Sequence, residues 1–68
     1  MDLTTEQLAA RWGVRPATIR SHRYRGTGPW YYKIPRFGRP SGAAEVLYPL
    51  HHVLAFEEAN GITPIQPS

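Results

Sequence analysis

Positions 13 to 16 read Gly13-Val14-Arg15-Pro16. This quartet constrains the fold more than any other part of the chain. A glycine just past a helical stretch can take the left-handed position that ends a helix. A proline three residues on is pre-organised for the first turn of the next one, where its missing N–H is harmless. Two helices joined by so short a connection cannot merge into one long helix. Upstream, Leu3-Thr4-Thr5-Glu6-Gln7-Leu8 reads as a helix start. Thr4 caps, Gln7 returns the bond as a capping box, and Leu3 and Leu8 close a hydrophobic staple around it. Leu8, Ala9 and Trp12 recur at helical spacing, so the first helix is expected from Thr5 to Trp12.

The second helix is expected from Pro16 to Arg25, with Gly26 as its stop. At 100° per residue Ile19 points inward, and His22 and Arg23 flank it. Ala17, Thr18, Arg20, Ser21, Tyr24 and Arg25 point outward. Gly26-Thr27-Gly28-Pro29 is turn chemistry. Trp30 to Ile34 is aromatic and β-branched, hence a strand that Pro35 ends. Val46-Leu47-Tyr48 is a second strand, closed by Pro49. The connection between them is long for a hairpin and carries Arg36 and Arg39; long loops tend to be functional or mobile. A third helix spans Leu50 to Asn60. Its apolar surface comes from Leu50, Val53, Leu54 and Phe56, its Glu57 and Glu58 face outward, and Gly61 stops it. Residues 1–61 form one domain on this reading, and 62–68, with two prolines, a flexible tail.

The charge is unevenly placed. All eight basic residues lie between Gln7 and Ala44, and seven of them are arginine. The five acids, Asp2, Glu6, Glu45, Glu57 and Glu58, lie outside that segment. The middle therefore carries +8 and the flanks −5, which gives the net +3. Arginine offers a planar fork that matches phosphate and the guanine edge. An acid-free basic stretch in a chain of pI about 9.8 is the electrostatic footprint of a nucleic-acid binder. An ordinary solvated helix face would carry glutamate and lysine pairs; the second helix has no acid.

Other classes are set aside on size and residue type. A chain of 68 residues is short for a two-domain protein or a fold with a substrate cleft. Without cysteine there is neither a disulfide framework nor a thiolate zinc site. No apolar stretch approaches the ~18 residues of a membrane span. His22, His51 and His52 lack metal-ligand spacing, since adjacent helical histidines point apart. No serine, histidine and acid are arranged for nucleophilic catalysis, so the chain is read as a non-enzyme. Trp12 and Trp30 are assigned to the core, and of Tyr31 and Tyr32 one should be buried and one exposed. His22 is either a packed residue or one whose charge, gained as pH falls, strengthens DNA binding.

The order of elements is that of a small α+β winged helix-turn-helix: a two-helix unit, a β-hairpin wing and a closing C-terminal helix. Leu3-Thr4-Thr5-Glu6-Gln7-Leu8-Ala9, Trp12 through Arg20, Gly26, and Tyr48 with Val53 and Phe56 resemble the MerR-like winged-helix superfamily. The likeness is nearest to small phage excisionases and AlpA-type regulators. Glu45-Val46-Leu47-Tyr48 before an apolar helix also resembles the DNA-binding domain of phage small terminase subunits. Where relatives tend to carry an acid near the start of the last helix, this chain has His51-His52.

The resemblance implies sequence-specific binding of double-stranded DNA, with the second helix in the major groove and the wing on the backbone or minor groove. It places Ala17, Thr18, Arg20 and Ser21 at base-reading positions and Lys33, Arg36 and Arg39 in the wing. Arg15, Tyr24 and Arg25 complete the expected contact set. The expected role is that of an excisionase that sets recombination direction, or of a small transcriptional regulator, in the bacterial cytoplasm. A recombinase, or another copy of the chain on adjacent sites, is a further expected partner. No cofactor, metal, small ligand or membrane is expected. The alternatives are the recognition domain of a packaging terminase and a protein-interaction module for an acidic partner.

Overall fold

The computed structural model describes residues 1–35 and 45–65. The chain forms a small α+β domain in the order β1 (Asp2–Thr4), α1 (Thr5–Trp12), α2 (Pro16–Arg25), β2 (Tyr32–Ile34), β3 (Glu45–Pro49) and α3 (Leu50–Asn60). All three helices have the expected limits, and most of their ends are set by local signals. Thr4 accepts from the Gln7 N–H at 3.1 Å, and Gln7 accepts from the Thr4 N–H at 2.9 Å. These are the two bonds of the capping box. Gly13 stands at φ 70°; its N–H donates to the Ala10 carbonyl, and the Val14 N–H to that of Ala9. Gly26 and Thr27 repeat this arrangement on Arg23 and His22.

The sheet is antiparallel, in the order β1-β3-β2. Leu3 pairs with Tyr48, and Lys33 with Val46. The hairpin of β2 and β3 forms as expected, but β2 is shorter than the aromatic run: Trp30 and Tyr31 precede it. β3 is longer by one residue at each end than the three expected. β1 was not expected at all. Its three residues alternate in burial but are too few to announce a strand, and β3 offers them an edge to pair with.

The core consists of Leu3, Leu8, Ala9, Ile19, Tyr48 and Val53, with Trp12, Tyr31, Val46 and Leu50 packed partly against it. Two aromatic expectations are corrected. Trp30 is 56 % exposed, since it lies outside the strand and beyond the core. Tyr31 and Tyr32 are both half-buried. Tyr31 packs on the core residue Tyr48, and the Tyr32 hydroxyl donates to the Asp2 carboxylate on the other side of the sheet. That bond holds the Tyr32 hydroxyl above its ordinary pKa, because deprotonation would lose it.

Glu57 is a larger correction. It was expected in solvent, yet it is only 5 % exposed. The Arg11 side chain donates to it twice, from Nε at 2.7 Å and from Nη2 at 2.9 Å, and Trp12 Nε1 donates at 2.6 Å. Trp12 also stacks on Phe56, with ring centroids 5.8 Å apart. α1 and α3 are thus joined by a buried ion pair with an aromatic lid. Val53 is buried one turn before Glu57, so the two share a face. Leu54, turned about 100° from Val53, is 48 % exposed; it is not the core residue expected. His51 and His52 do not point apart as expected, since their ring centroids lie 4.3 Å from each other.

Residues 62–65, placed by sequence in the tail, lie against the domain. The Ile62 N–H donates to the Glu57 carbonyl, and the Ile65 N–H to that of Arg11 at 2.8 Å. A Cβ on Gly13 would meet Ile65 Cδ1 at 2.6 Å. Gly13→Ala therefore combines left-handed backbone strain of about 1–2 kcal/mol with a clash that a flexible side chain must relieve. In urea denaturation the substitution should cost more in the parent chain than in an Ile65→Ala background. Equal costs would show that Ile65 simply swings aside.

Candidate nucleic-acid interface

α2 is held by one buried apolar side chain and one arginine. Ile19 enters the core at 2 % exposure. Arg23, four residues on and so on the same face, donates to the Tyr48 hydroxyl at 3.1 Å and to Thr5 Oγ1 at 3.3 Å. Its guanidinium lies 5.7 Å from the centre of the Tyr31 ring. Arg23 is thus a strut that ties α2 to α1 and β3. Sequence reasoning placed it at the flank of the inward face without assigning it this role. The i, i+4 spacing from Ile19 is the signal that points to it.

With that face fixed, the opposite one is open. Ala17, Thr18, Arg20, Ser21, Tyr24 and Arg25 are all exposed. Tyr24 is 85 % exposed. Arg25 Nε reaches back to the Ser21 carbonyl at 3.4 Å. Arg15 is the N-cap residue of α2 and makes no side-chain cap bond. It is exposed, and its carbonyl accepts from the Thr18 N–H at 2.9 Å. The residues at the start of α2 are small, so its backbone can come close to another surface.

The six bases among the described residues divide into two groups. Arg11 and Arg23 are taken up inside the domain. The Arg11 guanidinium holds the Glu57 carboxyl below its ordinary pKa, helped by the Trp12 N–H and opposed by burial. Glu57 in turn raises the Arg11 pKa. Arg15, Arg20, Arg25 and Lys33 are exposed. Lys33 pairs with Val46, and in a strand Val46 shares its face with Tyr48. Tyr48 carries the Arg23 strut, so Lys33 lies on the side of the sheet that faces α2. Arg36 and Arg39 lie outside the described residues.

The chain was compared with family models, with curated proteins and with solved structures. None of them matches.

A cleft of about 270 Å³ opens between the end of α2 and α3, lined by Trp12, His22, Thr27, Gly28, Phe56, Asn60 and Ile62. Its one ionisable group, His22, is engaged through Nδ1 with Thr27 Oγ1 at 2.8 Å. Among the described residues no group of three or more His, Cys, Asp or Glu side chains could hold a metal ion. No helix among them is long and apolar enough to cross a membrane.

Proposed function

We propose that the chain binds double-stranded DNA, with α1 and α2 as a helix-turn-helix and the β2–β3 hairpin as its wing. The observation that carries this reading is the exposed face of α2. It is acid-free, small and polar at the start and arginine-rich further along, while the other arginine of the helix is turned inward as a strut. A three-residue connection containing glycine is the usual spacing of a helix-turn-helix, and a recognition helix reads bases from its N-terminal part. In this arrangement Thr18 and Ser21 tune base choice, Arg20 takes a guanine edge, and Arg15 and Arg25 hold phosphates. Tyr24 covers sugar or a thymine methyl. Lys33, Arg36 and Arg39 act from the wing.

The sequence resemblance extends the proposal to a MerR-like winged helix of the excisionase or small-regulator kind. The decisive experiment is capture of sheared genomic DNA from the source at physiological salt, followed by sequencing. A few enriched sites support the reading. Their position beside an attachment site, promoter or packaging site distinguishes excisionase, regulator and terminase roles. Uniform or absent recovery by the folded protein favours the acidic-partner module instead. Arg20→Ala should lose about 1–3 kcal/mol of specific binding if it reads a guanine. Unchanged affinity in a folded variant would remove Arg20 from the interface.

A further inference from the structure

α3 turns Val53 and Glu57 into the domain, and this leaves His51, Leu54, Ala55, Glu58 and Ala59 exposed along the opposite stripe. Two features of that stripe are unfavourable in a lone molecule. Leu54 stands among alanines, so the stripe is apolar through its middle. The acid near its C-terminal end opposes the helix dipole. Histidines occupy the first turn and Glu58 the last, with no acid at the start and no base at the end. The dipole favours the reverse order. The start of the helix is also uncapped: Pro49 is the N-cap residue and supplies no side-chain bond. The Leu50 N–H is satisfied by the Met1 carbonyl.

We propose that the occupant of this face is a second copy of the chain, with its α3 packed antiparallel about a two-fold axis. The stripe is complementary to itself. Read forward it is histidine, leucine, alanine, glutamate; read backward it meets each of these with a suitable partner. With Leu54 set against Ala55 of the second copy, Glu58 falls opposite His51 of the second copy. Each glutamate then stands beside a helix N-terminus and an imidazole N–H, the environment its own helix end denies it. Each leucine packs into the space above an alanine. A two-fold interface requires this kind of self-matching surface.

A border of aromatic rings continues beyond His51. His52 lies beside it, and Trp30 lies 4.9 Å from His52. The contact is one helix wide, which places it among weak, transient interfaces. It does not rest on the DNA reading. If both hold, the pair presents two α2 helices to a site with two-fold symmetry.

Sedimentation equilibrium of the full chain, without DNA, tests the proposal. A monomer–dimer equilibrium is expected with Kd below about 1 mM. Leu54→Asp should leave only monomer. Glu58→Lys should weaken the dimer by about tenfold or more. The His51→Glu/Glu58→Lys double variant exchanges the two ends and should restore it. All three substituted positions are exposed, and circular dichroism checks that each variant is folded. Monomer alone up to about 1 mM, a dimer indifferent to Leu54→Asp, or a double variant no tighter than Glu58→Lys would each overturn the proposal.

Discussion

Glu57→Gln is expected to leave a large share of the protein unfolded at room temperature. The substitution keeps the shape of the side chain but removes its charge, leaving the Arg11 guanidinium buried beside a neutral amide. Breaking a buried ion pair by removing one partner costs about 3–5 kcal/mol. A domain of this size seldom holds more than about 3–5 kcal/mol in total, so the loss is comparable with the whole. Exchanging both members for apolar residues, Arg11→Met with Glu57→Leu, should recover most of the stability. What stays lost is the acceptor of the Trp12 N–H. Urea denaturation of the three proteins measures this, and a Glu57→Gln variant within about 1 kcal/mol of the parent would show that water reaches the pair.

The same pair sets an acid limit. The folded state holds the Glu57 carboxyl below its ordinary value of 4.5. Its contribution is therefore complete above that value and fades as pH falls through the lower folded pKa. The parent's melting temperature should drop on acidification below about pH 4.5. In the apolar double variant this part of the pH profile should be flatter.

Binding to DNA should fall steeply with salt. If Arg20 engages a base, the other five exposed or wing bases, Arg15, Arg25, Lys33, Arg36 and Arg39, remain for phosphate. Five phosphate contacts give a slope of log affinity against log salt of about −4.5. Raising salt from about 50 to about 200 mM then weakens binding by about 500-fold. Removing Arg36 and Arg39 together should bring the slope to about −2.7. An unchanged slope would take the wing off the backbone, and a slope near zero in the parent would defeat the electrostatic basis of the proposed function.

What could be read from the sequence was local. Thr4 with Gln7, Gly13, Pro16 and Gly26 mark helix limits through bonds that span a few residues, and those limits agree with the structure. The outward phase of α2 follows from Ile19 alone. Features set by distant parts of the chain were not legible in the same way. β1 is a strand only because β3, more than forty residues on, completes it. Glu57 looks like a solvated acid until Arg11 is known to face it, although its spacing from the apolar Val53 already favoured the inward side. Counting arginines overstated the basic surface, because charge totals do not reveal that Arg11 and Arg23 serve the interior.

The central position of β3 has a consequence for how the chain comes to fold. β1 is synthesised long before its neighbour β3 in the sheet, and at about 5–20 residues per second the delay is about 2–9 s. Until Tyr48 arrives, Leu3 lacks its partner across the sheet, and Arg23 lacks the hydroxyl it donates to. α1 and α2 can flicker as isolated turns during that interval, but helices this short are marginal alone. The transition state should therefore be organised around the meeting of Leu3 with Tyr48, so substitutions there slow folding while those at the exposed end of the hairpin chiefly speed unfolding.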